Sequence, residues 1–260
     1  MPESDDPIER FSNRVGQYMR SRPDYPENAI ALLKQRGYCG MGIDVGEMGA
    51  GTGILTRQLL EVGSTVWAIE PNDAMRSVAD AQLGTRPQFH SVAGRAEETS
   101  LADDSLDAIV CGQSFHWFDR DAAKQEFKRL LRMPKKVAII WNLRSRRTPF
   151  MEALGTFLEE YSVDFDKVIE RVDRRRKELD EFYGGGEGNA YTHQQLKHHQ
   201  DLDFEGLESL VTSFSYMPEP ASDDSREAMK QLHEIFQDHA EEGEVRVEYD
   251  THLVWGKFRD

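Results

Sequence analysis

Cysteine is scarce in this chain of 260 residues: it has two, Cys39 and Cys111, with no C-x-x-C spacing. That argues against a disulfide framework and a cysteine-built zinc site, and it fits a reducing cytoplasm. No apolar run approaches the ~18 residues of a spanning helix, and the acidic start from Met1 to Asp6 has no apolar signal core behind it. A soluble protein is expected. Positive charge is in deficit, with 32 Lys and Arg against 47 Asp and Glu and a net charge of −15. A field of that sign repels phosphate backbones, so nucleic acid is not an expected partner. No internal repeat is evident and no G-x-x-x-x-G-K-[ST] phosphate loop occurs. What is present, 38% apolar residues over this length, is enough for one large α/β core.

The opening segment reads as a helix, with Asp6 before Pro7 and then Ile8, Phe11, Val15, Tyr18 and Met19 at helical spacing. A turn Arg22-Pro23-Asp24-Tyr25-Pro26 follows, and a second helix from about Glu27 to Arg36 stops at Gly37. Strand-like runs then recur at Ile43 to Glu47, Thr65 to Glu70, Gln88 to Ala93, Leu106 to Gly112 and Val137 to Trp141, with helical patterns between most of them. Such a βαβ series predicts a doubly wound sheet with its ligand site outside the carboxyl ends of the strands. Beyond Asn142 two long helices are expected, the first from Phe150 to Tyr161 and the second from Phe165 to Phe182. Gly184 to Gly188 breaks them, another helix pair follows, and strict alternation from Val245 to Trp255 marks a terminal strand or hairpin. The chain is therefore read as one domain: residues 1–37 an N-terminal helical segment, 38–142 the core, 143–241 a mainly helical insertion over the open sheet edge, and 242–260 the terminal strand or hairpin.

The sharpest local signal is Glu47-Met48-Gly49-Ala50-Gly51-Thr52-Gly53, placed where a strand ends and the helix from Ile54 begins. Glycines there let the backbone turn sharply and approach a ligand, while the free N–H groups of the next helix face it. A plain tight turn is the alternative, but the strand–turn–helix context favours a nucleoside cofactor. The dinucleotide fingerprint needs a third glycine where Ile54 stands, which counts against NAD. Glu70 ends the second strand, where a carboxylate can accept from both hydroxyls of an unphosphorylated ribose. Asn72 is placed to cap the next helix. After the third strand, Gly94-Arg95-Ala96-Glu97-Glu98 offers backbone groups and the Glu97 carboxylate at the height of an adenine edge, with ordinary surface charge as the alternative.

Taken together, several motifs resemble the class I S-adenosylmethionine (SAM)-dependent methyltransferases, in the small-molecule subgroup of methyltransferase type 11 and trans-aconitate methyltransferase-like proteins. They are Tyr18 with Arg22 to Pro26, Glu47 to Gly53, Glu70-Pro71-Asn72-Asp73-Ala74-Met75, Ala96-Glu97 with Leu101 to Asp107, and Gln113 to Phe118. The resemblance implies a Rossmann-like, mostly parallel seven-stranded sheet with an N-terminal helical lid. It also implies SAM as cofactor, S-adenosylhomocysteine as product and a small-molecule methyl acceptor. Glu47, Gly49, Ala50, Gly51 and Gly53 would line the methionine part, Glu70 and Pro71 the ribose side, Met75 the adenine face, and Ala96 and Glu97 the adenine edge. Gln113 would sit beneath the sulfonium, and Tyr18 and Arg22 would close over the cofactor. Glu47 departs from the family pattern, which usually has aspartate there.

A sulfonium methyl is already activated, so the protein mainly has to align a nucleophile and exclude water. His116 is the candidate general base because it follows the fourth strand; Phe115, Trp117 and Phe118 beside it suggest an aromatic wall instead. Arg144, Arg146 and Arg147 follow the fifth strand and have the chemistry to clamp a carboxylate, with a solvated loop the plainer reading. His198-His199 with Asp201 does not make a metal site, since adjacent side chains diverge. The basic run Arg174 to Lys177 reads as a solvated helix face. Three functional classes remain: a small-molecule methyltransferase, which leads, a SAM-binding regulatory or scaffold protein without turnover, and a nucleotide-dependent oxidoreductase.

Overall fold

Three segments, around TVWAI, AIVC and VAIIW, carry the apolar runs of strands covered on both faces, and two more polar ones, DVGEM and FHSV, complete a set of five. They form β1 (Asp44–Met48), β2 (Thr65–Ile69), β3 (Phe89–Val92), β4 (Leu106–Gly112) and β5 (Leu131–Arg144). The structure, a computed structural model, describes residues 21–162, 175–184, 190–214, 216–218 and 222–258. The opening helix expected up to Met19, and the stretch from Phe165 to Val172 of the second long helix, lie outside those residues.

The first five strands pair in parallel in the order β3-β2-β1-β4-β5, and the sheet continues through β7 (Val245–Lys257) to β6 (Tyr191–Leu202), both antiparallel to their neighbours. The order reverses between β1 and β4, so a crevice opens there at the carboxyl ends of both strands. Helix α1 (Glu27–Gln35) precedes β1, and the crossover helices are α2 (Ile54–Glu61), α3 (Asp73–Leu83) and α4 (Arg120–Leu130). Their starts follow local chemistry: Asn72 accepts from the Met75 N–H at 3.0 Å, and Asp119 accepts from the N–H groups of Asp121 and Ala122.

Alternation along each strand divides the core. Ile109, Ile139 and Val254 face one layer with Phe115, Phe127 and Trp141; Val110, Ile140 and Leu253 face the other with Leu33, Leu55 and Leu59. A further cluster joins α5 (Pro149–Tyr161), α7 (Phe204–Thr212) and α8 (Asp223–His239) to Val245, Val247 and Tyr249 of β7. Helix α6 (Arg175–Tyr183) inserts Phe182, whose ring centroid lies 4.8 Å from Phe115 and 5.9 Å from Phe127. No helix among the described residues is long and apolar enough to cross a membrane.

The doubly wound, mostly parallel seven-stranded sheet agrees with the sequence reading, and one part of that reading needs correction. Residues 143–241 are not simply helical: β6 lies within them and forms the edge of the sheet. Its sequence, YTHQQLKHHQDL, is polar on both faces and mostly exposed, because an edge strand over which little packs has no need of an apolar face. The alternation that marked the terminal segment belongs to β7, which is buried between β5 and β6.

Phe127 is fully buried where α4, α6 and the sheet meet. Phe127→Ala should cost about 3–5 kcal/mol, read as a lower urea midpoint at unchanged slope. A midpoint equal to that of the wild type would show that this aromatic cluster does not hold the layers together.

Candidate cofactor and acceptor crevice

The turn after β1 is held by backbone bonds to the end of β2: the N–H groups of Gly49 and Ala50 donate to the Ile69 carbonyl at 2.9 and 3.0 Å. Gly49 has φ +72°, and a β-carbon there would meet Ser114 Cβ at 2.6 Å, so this position requires glycine. Gly53, at φ +89°, starts α2 from the left-handed region, and its missing β-carbon leaves room for Leu83 and Ala79 of α3. Glu70, 7% exposed, closes the arrangement. One of its carboxylate oxygens accepts from Gly51 N–H and the other from Asn72 N–H, both at 2.8 Å. Burial raises the Glu70 pKa, opposed by those two amides and by the Arg76 charge.

Two lobes of about 780 and 620 Å³ meet along Gly49, Gly51, Gly112 and Gln113. The first is lined by Glu70, Pro71, Met75, Ala96, Glu97 and Trp117, with Arg95, Ser114 and Phe118. The second is lined by Arg22, Tyr25, Glu47, Ala50, Asn142 and Arg144, with Phe214 and Tyr249.

The Arg22-to-Pro26 turn forms a wall of the second lobe and is firmly anchored. Gln58 of α2 bonds the Tyr25 backbone through both amide atoms, accepting from its N–H at 3.0 Å and donating to its carbonyl at 2.7 Å. Asn142, at the carboxyl end of β5, donates to the Asp24 carbonyl at 3.0 Å and accepts from the Thr251 hydroxyl at 2.7 Å. Arg22 donates to the Ser213 hydroxyl, and its guanidinium lies 4.8 Å from the Phe214 ring centroid.

Glu47 ends β1 in the floor of the same lobe and is 2% exposed. It accepts from the Thr56 hydroxyl at 2.5 Å. Burial pushes its carboxyl up to about 8; the Thr56 bond pulls the other way and the nearby Glu70 charge adds to the rise. A cationic group placed beside it would restore the ionised form.

The structure brings most of the residues singled out by sequence to this crevice: Arg22, Glu47, Gly49, Ala50, Gly51, Glu70, Pro71, Met75, Ala96, Glu97 and Gln113 line it, and Gly53 supports it from behind. Tyr18 lies outside the described residues. Glu97 uses one oxygen to accept from the Asp119 N–H at 2.8 Å, so it also ties the adjoining loop to α4. Gln113 sits at φ +55° and donates to the Asn142 carbonyl at 3.0 Å. His116 belongs to a short 3-10 turn (Phe115–Trp117) and lines neither lobe, whereas its neighbour Trp117 does. Of the three arginines expected after the fifth strand, Arg144 is the last residue of β5 and alone lines the crevice; Arg146 pairs with Glu159 and Arg147 with Asp250. His198 and His199 occupy successive positions of β6 and so point to opposite faces, and among the described residues no His, Cys, Asp or Glu group is arranged to hold a metal. Asn142, Phe214 and Tyr249 were not picked out from sequence. The carboxyl-end rule flags Asn142, but Phe214 and Tyr249 carry no local signal and arrive only through tertiary pairing.

These features fit SAM on three counts: a turn that a β-carbon would fill, a ribose-height carboxylate with lone pairs left over, and a buried acid able to meet an ammonium. In addition Thr52 Oγ1, in the wall of the second lobe, is buried without a hydrogen-bond partner. The sheet and its crevice define a Rossmann-like α/β fold. Residues 46–139 match the family model described as a methyltransferase domain. An uncharacterized methyltransferase of Mycobacterium tuberculosis is 38% identical over 162 residues, which span 62% of this chain and 63% of that protein. An uncharacterized methyltransferase-like protein of Schizosaccharomyces pombe is 27% identical over 88% of this chain and 86% of its own. Among solved structures, a protein described as a type II methyltransferase from Anaeromyxobacter dehalogenans aligns with TM-score 0.64 at 18% identity, over 91% of this chain and 97% of that one. YcgJ of Bacillus subtilis aligns with TM-score 0.54 at 16% identity, over 90% and 100%. At those identities the likeness to the solved structures is one of fold. Over residues 46–139 the chain therefore matches a methyltransferase domain, on a sheet with the fold of methyltransferases of known structure, and it spans a little under two thirds of the length of its Mycobacterium relative.

The raised Glu47 pKa has a consequence for stability. The folded, ligand-free protein keeps a proton on Glu47 that the unfolded chain releases near the ordinary value of 4.5, so stability falls as pH rises from about 4.5 to about 8. Glu47→Gln should remove that part of the slope. Its thermal midpoint should exceed that of the wild type at pH 9 and match it at pH 4; parallel melting profiles across that range would contradict the assignment.

Proposed function

We propose that this protein transfers the methyl group of SAM to a small-molecule acceptor whose nucleophile is a carboxylate or hydroxyl oxygen. The observation that carries this reading is the continuity of the two lobes at Gly49, Gly51, Gly112 and Gln113. One lobe has the groups a nucleoside needs, and the other opens beside it toward aromatic and arginine side chains. SAM, when bound, supplies an activated methyl group and a thioether leaving group.

The chain's own part is to bind, orient and exclude water. Glu70 keeps lone pairs for two ribose hydroxyls, while Met75 and Ala96 offer apolar contact to the base. Glu47 is placed to meet the amino acid end, and ionising it there offsets its burial. The anchored Arg22-to-Pro26 turn narrows the second lobe, which favours a nucleophile held in line with the C–S bond. With SAM bound, an acceptor oxygen held in line with its C–S bond would take the methyl carbon while the C–S electron pair stays on the departing thioether sulfur, and the proton of a hydroxyl acceptor would pass to solvent. We place residues 143–241 on the acceptor side, supported by Arg144 and Phe214 in the second lobe, and the protein in the cytoplasm, supported by two free, buried thiols.

Calorimetric titration of SAM tests the cofactor assignment. SAM should bind the wild type, at least tenfold more weakly to Glu70→Ala, and NAD should give no heat of binding. A well-folded protein that ignores SAM, or binds NAD as well, would falsify it. Release of S-adenosylhomocysteine with an acceptor then separates an enzyme from a SAM-binding scaffold.

A general base, where used, typically contributes 10²–10⁴-fold. Because His116 lines neither lobe, His116→Ala should keep kcat within about threefold, a change well below that range. A hundredfold loss with an altered pH profile would restore His116 as the base.

A further inference from the structure

The charges around the second lobe run against those of the whole chain. In a protein of net charge −15, the ionisable groups lining this lobe are two arginines, Arg22 and Arg144, one buried carboxyl, Glu47, and the phenols of Tyr25 and Tyr249. Arg144 stands apart from its neighbours. Arg146 and Arg147 are each paired with a carboxylate, but no carboxylate among the described residues lies within ion-pair distance of Arg144. Its guanidinium donates to the Tyr216 hydroxyl at 2.6 Å and lies 4.4 Å from the Phe214 ring centroid. The Phe214 and Tyr216 rings stack on each other at 5.3 Å. The head group is thus propped by two aromatic side chains at the crevice wall, with most of its five donors unassigned. Tyr249, its partner across the β5–β7 ladder, feels both arginines: burial raises the phenol's pKa, and Arg144 and Arg22 oppose the rise.

We propose that Arg144 is an acceptor-recognition residue that docks an anionic group of the methyl acceptor, a carboxylate or a phosphate, as a handle separate from the atom that is methylated. The proposal rests on the methyl-transfer reading above. The separation follows from chemistry: an oxyanion held by the guanidinium has its lone pairs engaged and is a weakened nucleophile. The reacting oxygen then belongs to another group of the same molecule, on the side facing Gln113. Arg22 already donates to both the Ser213 hydroxyl and the Ser213 carbonyl, which leaves Arg144 as the lobe's arginine for the acceptor. Its aromatic props favour a planar or apolar body behind the anion.

Equilibrium dialysis of the S-adenosylhomocysteine-loaded protein against a mixed pool tests this, with bound compounds identified by mass spectrometry. The pool contains hydroxy acids, hydroxyalkyl and hydroxyaryl phosphates, and the primary amides of the same acids. The wild type should enrich acids or phosphates at least tenfold over the amides, and whichever class is enriched identifies the handle. Arg144→Gln should lose that enrichment at least tenfold while retaining S-adenosylhomocysteine within twofold, and Arg144→Lys should recover part of it. Amides held as well as acids, no anion enriched, or enrichment unchanged in Arg144→Gln would each overturn the proposal. Loss of S-adenosylhomocysteine from Arg144→Gln would also overturn it, by assigning the residue to the cofactor. A wild type that fails to retain S-adenosylhomocysteine at all would fail earlier, at the methyl-transfer reading.

Discussion

The Glu70 carboxylate accepts one amide from the glycine turn and one from the start of the loop leading into α3. Those bonds join the loops after β1 and β2, which approach the crevice from different strands. With Gly49 and Ala50 bonded to the Ile69 carbonyl, the glycine turn has little freedom left. Gly53 can then start α2 against α3 because no β-carbon separates them. The loops that frame the crevice between β1 and β4 are therefore held by the chain's own hydrogen bonds, an arrangement that lowers the ordering cost of binding. Burying a carboxyl for this purpose is tolerable because both its oxygens are hydrogen-bonded.

Glu47 shows the opposite balance. Its hydrogen-bond donor is one hydroxyl, from Thr56, and burial keeps it largely protonated at neutral pH. An acid held in this way is a latent anion that a cation stabilises by ionising it, so ligand binding and proton release are coupled at this end of the crevice. At the other end Glu70 is ready to accept from hydroxyl groups. In the proposed reading the two acids would divide recognition between the amino acid end and the ribose of one ligand; Gln113 stands where the lobes join.

Much of this was legible in the sequence, for a physical reason. Strands β2 and β4 and the Val137–Trp141 stretch of β5 are largely buried and carry short apolar runs, and the glycines and Glu70 stand at positions fixed by strand ends. Strand β6 was not legible, because its exposed residues are polar on both faces and look like a loop or a helix surface. Nor could Arg144, Arg146 and Arg147 be told apart: their differences depend on Tyr216, Glu159 and Asp250, which belong to other elements of the chain. Tyr249 reaches the crevice only because its strand pairs antiparallel with β5, opposite Arg144. The aromatic context of His116 was visible, but whether its ring or that of Trp117 faces the crevice is decided by the 3-10 turn.

The most direct test of the central claim is a crystal structure of the protein with S-adenosylhomocysteine. The ribose hydroxyls should lie on Glu70, the adenine between Met75 and Ala96 with its edge toward Glu97, the amino group near Glu47, and the sulfur beside Gln113. The second lobe should remain open toward Arg144. A ligand bound elsewhere, or one whose ribose makes no contact with Glu70, would contradict the account.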